Sequence, residues 1–308
     1  MKQGIIASAV VMVLAFISTV CFGVACGRQG LQAIFRDDGL ADEWREVLTS
    51  WRDAELYGNV DDWDDDHRMQ VLQGDGTAGT EIELEQIDTL HIDAECGNVR
   101  ILKRTDGDTV KAVLEQYSKR AGAEPQYGLS ASENGELRLA GRPNGDGVTA
   151  ILSVYVPSDL QMLSVHLDVG ELDIVGITAE NMEAELSTGD LKMENCTVTN
   201  ANIRVQTGSA EIETHTVFEN LKLECSCGNA EVEIPEAVPF RLDYEVKTGA
   251  VEGLYNKPYD VERTNVQSTT GDKGSLRRTS NGGETEALYN VTVHLGNFEI
   301  SFAPDFDD

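Results

Sequence analysis

The sequence predicts an all-β fold, a single-stranded β-solenoid or β-helix-like array with about 20 residues per coil. Three observations predict it: a recurring phrase, the alternation within that phrase, and a break in the alternation at one glycine. The phrase is an alternating apolar/polar run, a glycine, then a second alternating run. It recurs around Gly97, Gly170, Gly189, Gly208, Gly228, Gly249 and Gly296, and the central five glycines are 19, 19, 20 and 21 residues apart. Counting from each glycine, positions −7, −5, −3, +2 and +4 give 35 sites, of which 34 are apolar; Gly253 is the exception. A chain that is 41% hydrophobic would place about 14 apolar residues there by chance. At −6, −4, −2, +1 and +3 only Ala250 is apolar.

Period-two alternation means strands with one buried face. Recurrence every 19–21 residues means that each unit buries that face by stacking on its neighbours. Inward positions are odd before the glycine and even after it, so a straight strand would turn one half inside out. The chain must therefore turn a corner at each of these seven structural glycines, and glycine supplies the backbone freedom a corner needs. Asn181, Asn200 and Asn220 recur at −8 and mark a second corner, where stacked amides can form a ladder. Parallel stacking with right-handed crossovers is the expectation. An antiparallel meander or sandwich is the alternative.

In chain order, three regions are expected: an anchor over 1–27, an acidic juxtamembrane segment over 28–82 and the repeat domain over 83–308. Ile5–Val24 is a 20-residue apolar run, long enough to span a bilayer. An uncleaved single span with the C-terminal domain outside the cell membrane is expected; a cleaved signal peptide, or lipidation at Cys26, are the alternatives. Leu40, Trp44, Val47, Leu48 and Trp51 follow helical spacing and predict a short amphipathic helix, read as a cap or linker. Its acidic polar face disfavours lipid contact. Asp61-Asp62-Trp63-Asp64-Asp65-Asp66 lacks the spacing of a calcium loop and reads as a solvated linker. Between the first phrase and the main array, 108–118, 135–140 and 149–157 read as strands of wider coils or an edge sheet. Residues 257–286 read as a long loop or poorly packed coil. The phrase around Gly296 reads as a terminal coil whose Phe298, Ile300 and Phe302 close the core.

The formal net charge is −30, and in the repeats it falls on outward positions, among them Glu183, Glu185, Glu194, Glu211, Glu213, Glu224, Glu231 and Glu233. Such a field opposes nucleic acid and favours solubility, cations or cationic peptides. Cys196 could approach Cys225 or Cys227 across stacked coils, although small buried apolar residues are the default reading of these cysteines. No nucleophile elbow, phosphate loop or zinc-protease motif is present. His67, His91, His166, His215 and His294 form no cluster along the chain. No catalytic residue, metal ligand or cofactor is expected.

At Ile151–Ile174, ILSVYVPSDLQMLSVHLDVGELDI, the chain resembles the bacterial putative-adhesin family of β-strand-repeat domains. The resemblance rests on an aliphatic strand ending in Val-Pro, a short link and repeated strand–Gly–strand units, and it covers about Glu83–Ile300. It implies an extracytoplasmic, membrane-tethered, solenoid-like domain and brings no catalytic or ligand residue with it. The expected function is a non-enzymatic surface interaction module that binds a protein, peptide or glycan. The alternative is an envelope-stress sensor acting through a membrane partner, and homo-assembly through the coil ends is a further expectation. A glycan-active enzyme is disfavoured, because Trp44, Trp51 and Trp63 all lie outside the repeats.

Overall fold

One coil shows how the sequence becomes structure. Around Gly189 the side chains of Met182, Ala184, Leu186, Leu191 and Met193 are all buried, while Glu183, Glu185 and Lys192 face outward. The long strand before the glycine and the short strand after it lie in different sheets, so the parity break becomes a corner. The second corner of this coil is turned by Asn195, which adopts φ +53°, a conformation asparagine tolerates better than most residues.

The computed structural model describes residues 70–71 and 81–303 apart from 86, 106, 119–123, 133, 142–147, 158, 214–215, 236–238, 254–261, 268–270 and 279–286. The expected anchor, the amphipathic helix, the Asp61–Asp66 run, Cys21, Cys26, His67 and His215 lie outside the described residues. The described elements are all strands. They begin with β1 (Gln70–Val71), β2 (Glu81–Leu84), β3 (Thr89–Ala94), β4 (Asn98–Lys103), β5 (Val110–Ser118), β6 (Tyr127–Ala131), β7 (Glu136–Gly141) and β8 (Val148–Val156). The central array is β9 (Leu160–Val169), β10 (Leu172–Val175), β11 (Thr178–Thr188), β12 (Leu191–Glu194), β13 (Thr197–Thr207), β14 (Ala210–Glu213), β15 (Val217–Cys227) and β16 (Ala230–Pro235). The chain ends with β17 (Phe240–Thr248), β18 (Val251–Glu252), β19 (Glu262–Gln267), β20 (Asp272–Arg278), β21 (Ala287–Leu295) and β22 (Phe298–Ala303).

Two eleven-stranded sheets enclose one core. Sheet I runs β1-β5-β8-β4-β10-β12-β14-β16-β22-β18, with β2 also on β5; sheet II runs β19-β20-β17-β21-β15-β13-β11-β9-β3-β7-β6. The strands of the seven glycine coils pair in parallel and in register, Leu186 with Val205 and Leu191 with Ala210, for example. The parallel, stacked solenoid is therefore the observed arrangement of the repeat, and the antiparallel alternative is excluded for it.

The stacking order departs from the sequence order at both ends. The coil formed by β21 and β22 was expected to be terminal. It is instead inserted between the Gly228 coil and the Gly249 coil, with β21 parallel to both β15 and β17. The physical reason is that all coils share one register and one pattern, so adjacency along the chain does not dictate adjacency in space. At the other end β7 and β8 form a coil that stacks on β3 and β4, while β9 and β10 take the opposite side. The Gly97 phrase, remote in sequence, thus adjoins the Gly170 coil directly.

Antiparallel strands cover the outer coils. β5 lies on β8, β6 on β7, and β20 on β17 with β19 beyond it. The region expected to be a loop after residue 257 therefore contains a hairpin, because an edge strand needs backbone partners more than buried side chains. Gln116, itself buried, ties the two sheets at one capped end: its Nε2 donates to Tyr127 O at 2.9 Å, and its Oε1 accepts from the backbone N–H groups of Gln126 (2.8 Å) and Tyr127 (2.9 Å).

Phe218, Phe240, Tyr244, Tyr289, Phe298 and Phe302 pack around the inserted coil, with Phe218–Tyr289 edge-to-face at a centroid distance of 6.2 Å. The one non-apolar inward site, Gly253, is explained by close backbone approach: a Cβ there would overlap the carbonyl of Ile300. Cys196 and Cys225 are buried free thiols, as the default reading of small buried residues has it, and the alternative pairing of Cys196 is not formed. Their sulfurs lie against carbonyl oxygens, Cys196 Sγ 3.2 Å from Glu194 O and Cys225 Sγ 3.4 Å from Gly208 O. Burial pushes the Cys225 thiol up to about 12, which keeps it protonated and unreactive near neutral pH.

Candidate functional site

The stacked register turns each sequence position into a row that crosses the sheet, with neighbouring rungs about 4.8 Å apart. The corner glycines form one such row, with φ between +126° and +145°. From Gly97 to Gly296 in stacking order, each glycine N–H bonds to the carbonyl just before the next glycine, Gly189 N to Thr207 O at 2.8 Å being one instance. Beside it runs a rail from the position after each glycine. Asn98, Asp190, Asn229 and Asn297 accept through Oδ1 from the backbone N–H of Glu171, Ser209, Asn297 and Ala250, at 2.7–3.4 Å. At the opposite end of the long strands Asn220 donates to Asn200 (3.0 Å), Asn200 to Asn181 (3.1 Å), and Asn181 to Gln161 O (3.3 Å). All these residues are structural. They satisfy corner groups that would otherwise depend on water.

The outward faces of the two sheets differ in charge. On sheet II the row at −4 reads Arg138, Asp93, His166, Glu185, Arg204, Glu224, Thr292, Glu245, Lys273 in stacking order. Acidic groups are interleaved with cations or neutral residues. Several pairs close on this face: Arg138 to Glu95 at 3.1 Å, His294 to Glu224 at 3.2 Å and Lys273 to Glu245 at 3.1 Å. His91, His166 and His294 sit on this face at different heights and do not converge.

On sheet I the row at +3 reads Arg100, Asp173, Lys192, Glu211, Glu231, Glu299, Glu252. The neighbouring row at +5 contributes Glu194, Glu213 and Glu233. Arg100 pairs with Asp173 at 3.5 Å, and the Lys192 ammonium bridges Glu194 (3.1 Å) and Glu213 (3.2 Å). Beyond Lys192, both rows over the Gly208, Gly228, Gly296 and Gly249 coils contain no cationic side chain among the described residues. Glu211, Glu213 and Glu231 bring carboxylate oxygens within 4.8 Å of one another, and Glu211, Glu231, Glu252 and Glu299 border a shallow groove of about 260 Å³ with Ser209, Asn229 and Asn297.

Crowding alters their titration. A hydrogen bond with Glu213, then burial, then the Glu213 charge push Glu211 up to about 7, while Glu213 is held below its ordinary value chiefly by that same bond. Burial, then the charges of Glu299, Glu213 and Glu233, raise Glu231. The hydrogen bond to Glu194, opposed by burial, leads the upward shift of Lys192. Because Glu211 is raised from 4.5 in the folded form, its protonated state contributes stability that is full below about 4.5 and lost as pH rises through about 7. Glu213 acts in the opposite sense only at lower pH. The urea midpoint of the native protein is therefore expected to fall between pH 5 and pH 8. Glu211→Gln should flatten that slope, and an unchanged slope in the variant would contradict the shared proton.

Of the acidic residues expected to face outward, Glu183, Glu185 and Glu224 belong to sheet II, and Glu194, Glu211, Glu213, Glu231 and Glu233 to sheet I. Glu252, Glu299 and Lys192 complete the sheet I face. Their signal was the row at +3, which appears once positions after the glycine are aligned separately from those before it.

These features define a class: an array of stacked coils with two outer sheet faces, one of mixed charge and one acidic over its later coils. The chain belongs to the Toastrack DUF4097 family, whose model matches residues 77–281, two-thirds of its 308 residues. Among solved structures it is similar to a "putative cell adhesion protein" from Clostridium sporogenes, with 13% identity, 72% of this chain and 99% of that chain covered, and a TM-score of 0.42. It is also similar to a "putative adhesin" from Bacteroides fragilis, with 14% identity, 71% and 95% coverage and a TM-score of 0.31. A third, from Parabacteroides distasonis, gives 10% identity, 74% and 99% coverage and a TM-score of 0.24. No curated protein matches the sequence.

Proposed function

We propose that the protein is a non-enzymatic surface interaction module of adhesin type, a stacked array held outside the cell membrane by its N-terminal apolar span. The observation that carries this reading is the outer face of sheet I. Its glutamates stand in register, outward, on a scaffold that satisfies its own corners through the Asn98, Asp190, Asn229 and Asn297 rail. An arrangement of this kind offers a surface rather than a pocket for chemistry. The apolar run Ile5–Val24 supports a single span, and the resemblance of Ile151–Ile174 to putative-adhesin domains supports an extracytoplasmic position.

The test is photocrosslinking on intact cells with the full chain, using crosslinkers placed at Glu231 and, separately, at Glu185. Recovery of a second protein, peptide or glycan from Glu231 supports the module. Recovery of copies of this chain alone would replace it with homo-assembly. Capture that disappears on deleting residues 29–70, with the sheet I face unchanged, would replace it with a sensor acting through the juxtamembrane segment.

A further inference from the structure

The geometry points to the partner of this face: sheet I, over the Gly208, Gly228, Gly296 and Gly249 coils, docks an extended lysine- or arginine-rich polypeptide. The inference rests on the interaction-module reading and names the chemistry of what binds.

Charge complementarity is the first support. Across these coils the +3 row is Glu211, Glu231, Glu299 and Glu252, with Glu213 and Glu233 alongside at +5. Sheet II belongs to the same chain and core, yet it interleaves its acidic groups and closes ion pairs on itself. The single sign of sheet I is therefore a property of one face and not a by-product of an acidic composition.

The chain itself provides the second support, an example of what the face accepts. In the Gly189 coil the +3 position is Lys192, and its ammonium lies 3.1 Å from Glu194 Oε1 and 3.2 Å from Glu213 Oε2. An ammonium on an aliphatic stem is thus held between the two glutamate rows by direct contacts. The next four coils in the stack carry glutamate at +3, Glu211, Glu231, Glu299 and Glu252, with no cation in that row to take the place of Lys192.

Spacing is the third support. Along one strand the +3 and +5 side chains are two residues apart, about 6.8 Å, and successive rungs are about 4.8 Å apart. Alternate side chains of an extended polypeptide have the first of these spacings, so one lying along the Gly208 or the Gly228 rung can reach the +3 and +5 glutamates of that rung. Ser209, Asn229 and Asn297, which border the groove beside the rows, offer polar groups to the backbone of such a segment.

The experiment uses purified full-length protein and a fluorescent ten-residue peptide of alternating lysine and serine, read by anisotropy at physiological salt. Glu211→Gln/Glu231→Gln/Glu299→Gln is compared with Glu183→Gln/Glu185→Gln/Glu224→Gln, which replaces the same number of glutamates on sheet II and removes at least as much charge. Both substitutions are isosteric, and a urea melt establishes that each variant is folded. The sheet I variant is expected to bind roughly tenfold more weakly, as three surface ion pairs acting together would give, and the sheet II variant to stay within about twofold. Equal weakening by the two variants would reduce the effect to net charge and overturn the assignment. Displacement of the peptide by sub-millimolar calcium or spermine would make this a small-cation site, which also overturns it. If the peptide does not bind while crosslinking at Glu231 still captures a partner on cells, the cationic partner is wrong and the module reading survives.

Discussion

Gly189→Ala is expected to destabilise the protein by about 3 kcal/mol or more, the sum of left-handed backbone strain and forced overlap in a packed corner. Gly189 has φ +138°, and a Cβ on it would fall on the carbonyl oxygen and carbon of Gly170 in the adjoining coil. Neither group can move independently. The Gly170 N–H is bonded to Thr188 O and the Gly189 N–H to Thr207 O, so a shift at one corner must be passed to its neighbours. Gly128 provides the contrast, since a Cβ there would meet nothing within 4 Å. Gly128→Ala is therefore expected to change stability by less than about 0.5 kcal/mol. Urea unfolding of the two variants measures the difference, and equal midpoints would mean that the corner row is not where the stack is held in register.

Phe298→Ala is the second large effect, at about 3–5 kcal/mol for loss of a fully buried aromatic and the cavity it leaves. Phe298 begins β22, pairs in register with Ala230 on one side and Val251 on the other, and has its ring 6.0 Å from that of Tyr244. It therefore joins the Gly228 and Gly249 coils through a segment that follows both in sequence. Native-state hydrogen exchange should show protection falling in β15, β17 and β21 together. Loss confined to β21 and β22 would instead make the inserted coil an appendage. Leu288→Ala, on β21 of the same coil but 40% exposed, should cost little.

Most of the inside–outside pattern was legible in the sequence because a strand has a two-residue period and a corner reverses its phase. Met182, Ala184 and Leu186 before the glycine, and Leu191 and Met193 after it, needed no other information. The spatial order of the coils was not legible. Val291 and Val293 stack on Leu223 and Cys225 as well as any consecutive repeat would, and the long connection from Gly253 to Ala287 lets the chain return. The β19–β20 hairpin escaped notice for a different reason. It covers an edge through backbone bonds, and among its described side chains Leu276 is the buried apolar contribution to the core, too sparse a pattern to read as strands. The acidic face was legible as composition, whereas its confinement to one sheet required the register that pairs Glu211 with Glu231 and Glu231 with Glu299.

The inserted coil also governs how the molecule can be made. Ribosomes deliver this chain from its N-terminus, yet residues 287–303 belong in the interior of the stack, between strands synthesised earlier. A nascent chain that ends before residue 287 lacks the strand that pairs with both β15 and β17, and such parallel edges recruit foreign strands. Completion is therefore set by the emergence of residues 287–303 and not by the gradual lengthening available to a simple solenoid. Removing β21 and β22 would take out a keystone, although they follow every other strand in sequence.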